Sequence, residues 1–410
     1  MKNRFPGRCL AAAGFALALA TTAHAARADE AIVPGLTLGG FGTLGAAHSS
    51  NDRAEFVRDL SQPGGIAGRW GLKTDTVLGL QANLRLNEQF EGVTQVVSRY
   101  NHHGDFTPEL MWAFVKFDPT AALSVRAGRL GTEFFMLADS RLVGYSYLTV
   151  RPPNDYYGAL PFSHIDGADI QATMPLGDGL VRAKAYYGLT REELPLSYRK
   201  WDIANSGMGG AYLDYQQGGW QWRVAYAQIR FKQNLPIDDL QAALRSAGAT
   251  SAAAALTAAG KTSHFWSGGM VYDHGPWQVQ AMLNYTDQGS VLFESSRAGY
   301  VVAGYRVGEF TPFLGYSRIK SAPKRFSTGL PDLGMLAQLN ATVASVLADS
   351  HSDQHTISAG VRWDVYRNVA LKAQYDAIRG TPTSIFPYRR EKPDWNGKAG
   401  IFSLTLDFVF

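Results

Sequence analysis

Residues 402–410 (FSLTLDFVF) alternate between apolar and mainly polar side chains. Phe402, Leu404, Leu406 and Phe408 fall on one face, and Ser, Thr and Asp side chains separate them. Successive side chains of a β-strand point to opposite faces. This period of two therefore predicts a strand with one face in an apolar environment and the other in water.

The same alternation recurs along most of the chain, for example over 78–86 and 356–365. A soluble sandwich alternates in the same way, so the period alone does not distinguish a protein core from lipid. Short turns at 177–179, 218–219 and 274–275 alternate with long polar connections, which is the loop asymmetry of outer-membrane barrels. Aromatic residues gather beside the short turns, as an interfacial girdle requires; they are Trp220, Trp222, Trp277, Trp363 and Tyr366.

Sixteen segments carry this strand pattern, which predicts an all-β, transmembrane antiparallel barrel with short periplasmic turns and long external loops. Their approximate bounds are 36–47, 68–86, 90–102, 108–118, 123–130, 166–175, 180–190, 207–217, 219–231, 264–274, 276–288, 297–307, 309–319, 355–365, 369–379 and 399–410. An even count puts both ends of the barrel chain on the periplasmic side. Side chains cannot fill a barrel of this size, so a water-filled channel is expected.

Residues 1–28 have the layout of a secretory signal peptide, with cleavage expected after Ala25 or Ala28. An N-terminal membrane anchor is the alternative, but its apolar stretch is short and rich in alanine. This leader holds four basic residues and no acid, so it accounts for the formal net charge of +4. The barrel expected over 29–410 is then neutral, which gives no indication of nucleic-acid binding.

The 410 residues are 46% hydrophobic and 18% charged, which excludes a disordered chain. The single cysteine, Cys9, lies in the leader. The mature chain therefore offers no disulfide, thiolate metal site or cysteine nucleophile.

Four features of the chain occur together: the leader, the sixteen alternating strands, a long third external loop after the strand containing 126–129 (RAGR), and the terminal Phe410. In this combination the chain resembles the Gram-negative porin superfamily, including its phosphate-selective-porin-like relatives. The resemblance covers the whole mature chain but is architectural, because no short motif is diagnostic of one substrate. It implies a homotrimer in outer-membrane lipid, a third loop folded into the pore, and a C-terminal aromatic residue that the barrel-assembly machinery reads.

The third external connection, about 131–166, is apolar for an exposed loop, which favours a constriction segment tucked against the inner wall. A loop packed on the external rim or against a neighbouring subunit is the alternative. Its charged residues are candidates for the site: Glu133, Asp139, Arg141 and Asp155.

Strand parity assigns eight basic residues to the lumen: Arg85, Arg99, Arg126, Arg182, Lys184, Arg223, Arg362 and Lys372. Four acids share that parity: Glu91, Asp364, Asp376 and Asp407. Guanidinium groups suit bidentate contact with carboxylates or phosphates. These cations could form a ladder for anions, or they could be wall charges paired with neighbouring acids; the sequence leaves both open.

Residues 237–259 and 331–348 carry helix formers with apolar spacing of three to four, which predicts short external helices. They could cap the pore, bind a partner or simply order their loops.

Three motif-like patterns are not interpreted as sites. Residues 40–45 (GFGTLG) match a dinucleotide-binding pattern but lie inside the first strand, without the helix that such a site needs. His102 and His103 with Asp105 are expected on an exposed loop, because adjacent residues of a strand point to opposite sides.

Ser163, His164 and Asp166 include the residue types of a hydrolase triad, but near neighbours on a loop rarely reach the required geometry.

The sequence therefore predicts passive diffusion of small hydrophilic solutes and ions, with a weak anion preference and without catalysis, metal or cofactor. The alternative is a closed outer-membrane barrel acting as a hydrolase or surface receptor.

Overall fold

The computed structural model describes residues 34–159, 162–196, 199–384 and 388–410. The predicted leader lies outside these ranges. Within them, sixteen long antiparallel strands form one closed barrel, numbered here β1 to β16. They are Leu36–Ser49, Val77–Arg85, Phe90–Arg99, Glu109–Thr120, Leu123–Gly131, His164–Leu176, Gly179–Leu189, Gly207–Gln217, Trp220–Arg230, Thr262–His274, Trp277–Gln288, Ser295–Tyr305, Phe310–Ala322, Asp353–Tyr366, Val369–Gly380 and Lys398–Val409.

The barrel closes through β1, which pairs with β16 on one side and with β2 on the other. Phe41 lies opposite Val409, and Leu36 lies opposite Leu84. Closure gives each strand two partners, so no row of backbone amides is left unpaired in lipid. The predicted fold class is thereby confirmed.

All sixteen predicted strands are present, but the predicted start of the second strand at residue 68 is wrong. β2 begins at Val77, and a two-residue strand, Trp70–Gly71, pairs with the external end of β1 instead. The chain turns between them, where Thr74 and Asp75 are buried. Asp75 binds a guanidinium inside the barrel, and this ion pair holds the segment away from a straight strand.

Large apolar side chains cover the outer face of the barrel. Leu38, Leu80, Leu283 and Leu314 are among those exposed there. The alternate positions on the same strands point into the lumen. The predicted girdle residues are also exposed beside the short turns, as the interface with lipid headgroups requires.

Two-residue turns join five of the seven strand pairs at the periplasmic end, and four-residue turns, 86–89 and 306–309, join the other two. Gly177 and Gly218 are the first residues of two such two-residue turns, and their φ values of +58° and +55° are those that type II′ hairpin turns need and glycine accepts without strain. The external connections are mostly much longer: L1 (50–76), L2 (100–108), L3 (132–163), L4 (190–206), L5 (231–261), L6 (289–294), L7 (323–352) and L8 (381–397).

L3 contains a 3₁₀ turn, Gly144–Ser146, and a short helix, α1 (Asn154–Tyr157). Its apolar residues are buried against inward-facing side chains of the wall. Phe134 packs 4.9 Å, centroid to centroid, from Phe265 of β10, and Tyr156 packs 5.2 Å from Tyr300 of β12.

L5 contains helices α2 (Asp238–Ser246) and α3 (Thr250–Ala255), and L7 contains α4 (Gly334–Ala348). The helices predicted within 237–259 and 331–348 are therefore confirmed. Among the described residues, no helix combines the length and apolarity needed to cross a membrane.

Candidate functional site: the lumen and its third loop

The structure places all eight predicted basic residues on inward-facing positions of the wall. The strand alternation explains this placement, since their sequence neighbours carry the outward apolar side chains. The availability of these charges to a solute depends on whether each one faces water or an acidic side chain.

A cluster on β5, β6 and β7 joins the wall to the start of L3. Arg126 Nη2 lies 2.6 Å from Asp169 Oδ2 and 3.3 Å from Glu133 Oε1. Lys184 donates to Glu133 and lies 3.2 Å from the Asp169 carboxylate. Burial alone would raise the pKa of Glu133, but Lys184 and the neighbouring guanidinium groups hold it below its usual range. Glu133 is therefore a charged strut between L3 and the wall.

The neighbouring strands β8 and β9 continue the cluster. Arg223 binds Asp214 through two bonds, of 2.5 and 2.7 Å, and its guanidinium carbon lies 3.7 Å from the centroid of the Tyr212 ring. Arg182 differs, because its closest approach to Asp214 is 3.9 Å and its side chain is 41% exposed. Arg182 therefore keeps much of its charge available to solutes.

Lys372 anchors the middle of L3 on the opposite wall. Its ammonium group donates to the carbonyl oxygens of Gly144 at 2.6 Å and Thr149 at 3.1 Å, and lies 3.1 Å from Asp407 Oδ2. Both charged side chains are fully buried. This arrangement fills the donor capacity of the ammonium group, so Lys372 is a loop anchor with little capacity left for a solute.

Arg362 makes a similar anchor on β14, directly opposite Lys372 in the strand register. It donates to the carbonyl oxygens of Tyr145 at 2.6 Å and Tyr147 at 3.1 Å. Its other nitrogens bind Asp364 at 2.8 and 2.9 Å. L3 is thus held to the wall by backbone contacts at successive residues.

Arg151 in L3 is among the most buried large side chains of the described residues. It binds Asp75 of L1 through bonds of 2.7 and 2.6 Å, Asp376 of β15 at 3.0 Å and the hydroxyl of Ser403 of β16 at 2.5 Å. Burial disfavours its charge, yet the two carboxylates more than compensate and raise the pKa of Arg151. This residue locks L1, L3 and two strands together.

A third cluster lies at the external end of β3. Arg99 Nη1 contacts Asp59 at 3.3 Å and the Ser61 hydroxyl at 2.8 Å. Arg141 donates to the carbonyl oxygen of Phe162 at 2.7 Å, which closes L3 on itself. Burial alone would raise the pKa of Asp59, but the surrounding arginines lower it. The pKa of Asp59 is therefore below its usual value.

Asp155, at the start of α1, is a buried carboxylate with neutral hydrogen-bond donors. Ser317 Oγ donates to it at 2.7 Å and Gln354 Nε2 donates at 2.7 Å. Burial raises the pKa of Asp155. It is a polar anchor for L3 and offers no accessible charge to a passing ion.

The remaining predicted site residues are more exposed. Asp139 lies on the surface of L3 and accepts a bond from the Ser140 amide at 2.9 Å. Arg85 is exposed at the periplasmic end of β2, opposite Glu91 in the strand register. A polar cavity of about 310 Å³ lies nearby, and its charged lining residues are Lys116, Arg126, Glu91 and Asp169.

The expectation that His102 and His103 lie on a loop is confirmed, since both lie in a turn of L2. Their ring centroids are 3.9 Å apart. His102 Nδ1 lies 3.3 Å from Glu109 Oε1. Arg99 Nε, 4.0 Å from the same carboxylate, competes with a metal ion for it.

Ser163, His164 and Asp166 are close in sequence but have separate partners. Asp166 pairs with Arg129 at 2.7 Å, and His164 Nδ1 lies 3.0 Å from Glu192. The Ser163 hydroxyl accepts a bond of 3.0 Å from an L3 guanidinium. These contacts do not form the relay of a hydrolase triad.

Sequence reasoning missed the acids that neutralise the wall. Asp169 and Asp214 lie in predicted strands at inward parity, so the alternation could have identified them. Asp59 and Asp75 lie in L1, and no periodic pattern in the sequence of this loop indicates that it enters the barrel. Arg151 lies within the predicted third loop, but no pattern in the sequence marks it as the central anchor of that loop.

A closed sixteen-stranded barrel with an ion-paired lumen and an infolded third loop is an outer-membrane channel architecture. The chain matches the Gram-negative porin family over residues 11–395, and it belongs to that family. It is thus a multi-pass β-barrel of the outer membrane, and passive passage of solutes is the function that family and fold support.

Solved structures with the same fold include an anion-selective porin from Comamonas acidovorans, at 14% identity and TM-score 0.56, covering 92% of this chain and 99% of that chain. OmpF of Salmonella typhi in complex with daunomycin has 13% identity and TM-score 0.56, covering 92% and 97%. The channel DcaP of Acinetobacter baumannii has 13% identity and TM-score 0.51, with the same coverage. No curated protein sequence matches the chain.

Proposed function

We propose that L3 forms the constriction of a diffusion channel for small hydrophilic solutes, and that the channel has a weak preference for anions. The anchors of L3 support the first part. Lys372 and Arg151 hold it to one wall, and Glu133 holds it to the other. The loop therefore crosses the lumen with charged contacts at both sides.

The cluster on β5 to β9 carries the argument for anion preference. Arg126, Arg182, Lys184 and Arg223 share three carboxylates, those of Glu133, Asp169 and Asp214. Among the groups in direct contact one positive charge is left over, and Arg182 is its most exposed carrier. Asp139 of L3 acts on the same cluster and reduces this surplus. A narrow lumen with low-dielectric walls focuses such a charge more strongly than open water does.

The opposite wall makes the preference weak. There the four cations Arg58, Arg151, Arg362 and Lys372 balance four acids: Asp75, Asp364, Asp376 and Asp407. That wall therefore adds no net charge of its own, and the solute class that benefits most is small and only weakly charged.

Planar-bilayer recording of the purified protein tests both parts. We expect ohmic conductance steps and, across a potassium chloride gradient near 0.1 M, a reversal potential that favours chloride slightly. At this salt concentration the Debye length is about 10 Å, so the lumen charges remain effective. Persistent silence from folded protein would favour the closed-barrel alternative, and clear cation preference would overturn the assignment of sign.

The chain is proposed to catalyse no reaction. The separate partners of Ser163, His164 and Asp166 support this proposal. Incubation with chromogenic ester and peptide substrates should show no turnover; hydrolysis that is lost in Ser163→Ala would contradict it.

A homotrimer is proposed from the porin architecture. The barrel exterior is apolar and suits both lipid and a neighbouring subunit. Light scattering in mild detergent should give about three protein masses per particle; a monomer in every mild detergent would refute the trimer.

Residues 1–28 are proposed to be removed during export, which N-terminal sequencing of the outer-membrane protein tests directly. A mature N-terminus at residue 26 or 29 is expected. An intact N-terminus on protein extracted from the outer membrane would contradict this proposal.

The C-terminal strand is proposed to be read by the barrel-assembly machinery. Phe410 exchanges two backbone hydrogen bonds of 3.0 Å with Gly40, so it takes part in barrel closure. Deletion of Phe410 should lower the amount of surface protein, and unchanged surface levels would contradict this proposal.

A further inference from the structure

Three side chains at the external end of β4 bring possible metal ligands together. His102 and His103 lie in L2, and Glu109 is the first residue of β4. One ring nitrogen of each histidine and one carboxylate oxygen of Glu109 lie within 4.8 Å of one another. In the part of the chain that the structure describes, this is the one group of three His, Cys, Asp or Glu side chains that meets so closely. Asp105, which the sequence places beside the histidines, is not a member of it.

The distances in this group approach those of a tetrahedral metal site. Bonds of about 2.0 to 2.2 Å from Zn²⁺ to nitrogen and oxygen place the ligand atoms about 3.3 to 3.5 Å apart. His102 Nδ1 and Glu109 Oε1 already lie 3.3 Å apart. His103 is exposed, so its ring can move the further distance, of up to about 1.5 Å, that such a site requires. Two ligands are therefore in place, and the third can adjust.

The turn that carries the histidines is held by hydrogen bonds. Asn101 is fully buried, accepts a bond from the His103 amide at 3.0 Å and donates to the carbonyl oxygen of Thr107 at 3.0 Å. The amide of Gly104 donates to the carbonyl oxygen of Asn101 at 2.9 Å. These bonds fix the backbone of the turn before an ion arrives, so less conformational entropy is lost on binding.

Negative charge on L2 and β4 favours a dication at this place. Glu109 supplies one carboxylate directly, and Asp105 in L2 supplies a second close by. Hydrogen bonds from Thr107, and next the two nearby imidazole groups, lower the pKa of Asp105. The loop therefore presents a carboxylate beside both histidines, which attracts a cation from solution.

Arg99 is the cation that opposes metal binding here. Its Nε approaches Oε2 of Glu109 to 4.0 Å, whereas His102 faces the other carboxylate oxygen, Oε1. The guanidinium group is also paired with Asp59 at 3.3 Å. Arg99 therefore lowers the affinity for an ion but leaves Oε1 of Glu109 open to it.

We propose that His102, His103 and Glu109 bind a divalent transition-metal ion at the external surface. Two imidazole groups and one carboxylate suit Zn²⁺, Cu²⁺ or Ni²⁺, whereas Mg²⁺ and Ca²⁺ prefer a shell of oxygen ligands. The bound ion ties the turn of L2 to the wall of the barrel. This inference goes beyond the channel function, does not depend on passage, and departs from the sequence-based expectation that the chain holds no metal.

Titration calorimetry of the detergent-solubilised protein, purified without a histidine tag, tests the site with zinc chloride near pH 7.5. We expect one saturable equivalent of Zn²⁺, and no saturable heat from Mg²⁺ at the same concentrations. The thermal midpoint should rise with the Zn²⁺ concentration, because an ion that binds only the folded state stabilises it. Absence of saturable Zn²⁺ binding, or equal binding of Mg²⁺, would overturn the inference.

His103→Gln and Glu109→Gln each remove one ligand. Loss of an outer-shell partner alone costs about 10- to 100-fold in metal affinity, so loss of a ligand should weaken Zn²⁺ binding at least about tenfold. His274→Gln is the matched control, because His274 is exposed at the periplasmic end of β10 and should leave Zn²⁺ binding unchanged. Wild-type affinity in both ligand variants would refute the site.

His103→Gln changes an exposed side chain, so its thermal midpoint without metal should match that of the wild type and show that the variant is folded. Electron paramagnetic resonance with one equivalent of Cu²⁺ gives a second measurement. The wild-type spectrum should show coupling of the copper to nitrogen, and His103→Gln should reduce this coupling. Coordination by oxygen alone in the wild type would contradict the histidine ligands.

Discussion

The two ends of the lumen are organised by different forces. Around L3, charged side chains pair across the barrel, and most of them are buried with a partner, such as Lys372 with Asp407. At the external end of the lumen, Trp201 of L4 packs 4.9 Å from Phe231 of L5 and 5.6 Å from Phe293 of L6, measured between ring centroids. These rings line a cavity of about 290 Å³, called here the external vestibule. Ion pairs need good geometry to offset desolvation, whereas aromatic packing tolerates adjustment.

This difference separates two tasks within one channel. The ion-paired region fixes the position of L3, because Arg126, Arg362 and Lys372 each bind both an acid of the wall and a carbonyl or carboxylate of the loop. The vestibule can adapt to a solute, because loops form much of its wall. Variants that affect one region should therefore leave the other largely intact.

Arg151→Met should produce the largest effect. It leaves Asp75 and Asp376 buried without their cation, and breaking a buried pair in this way costs about 3 to 5 kcal/mol. L3 should detach, so single-channel recordings should show larger or noisier conductance.

Arg297→Met is the control, because Arg297 lies on an outward position of β12 beside the Tyr285 ring. Its conductance should match the wild type. Wild-type conductance and noise in Arg151→Met would show that L3 does not depend on the charged lock.

Gly144→Ala tests how closely L3 approaches the wall. A β-carbon at Gly144 would collide with Asp407 Oδ1 and Thr43 Oγ1. Overpacking of this kind costs about 1 to 3 kcal/mol, so increased gating noise and a lower thermal midpoint are expected. Gly268→Ala is the control, because its nearest contact would be 3.9 Å away; equal behaviour of both variants would contradict the close approach.

Strand alternation predicted the barrel and the inward position of each basic residue, because period two is a local property of the chain. The same alternation also assigns Asp169 and Asp214 to the inward face. It could not predict that Arg151 meets Asp75, since two loops enter the lumen together without any periodic pattern. The vestibule was equally hidden, because its rings come from loops far apart in sequence.

Asp155→Asn tests the neutral anchor of L3 through its pH dependence. The folded pKa of Asp155 is raised above the usual 3.8 by burial, so the folded state holds the proton more tightly than the unfolded state. The contribution to stability is therefore fully present below pH 3.8 and is lost as pH rises through the folded pKa. The slope in that window is up to about 1.4 kcal/mol per pH unit.

In Asp155→Asn this dependence of stability on pH should disappear. Urea midpoints, measured from pH 3.5 to neutrality in steps of ~0.5 pH unit, test this expectation. Asp238→Asn in the exposed helix α2 should keep the wild-type profile. Identical profiles for Asp155→Asn and the wild type would show that Asp155 does not act as a protonated anchor.

Arg182→Gln should produce the smallest effect, and it tests the one cation of the wall that is only loosely paired. An ion passing about 10 Å away interacts with a unit charge by about 0.4 kcal/mol in water without salt, and screening near 0.1 M reduces this, so the change in relative permeability is at most about twofold. The reversal potential near 0.1 M potassium chloride should therefore move toward cations by that amount. Arg297→Gln removes the same charge from the outer face and should leave the potential unchanged. If Arg182→Gln also leaves it unchanged, the surplus charge of the wall does not set the anion preference.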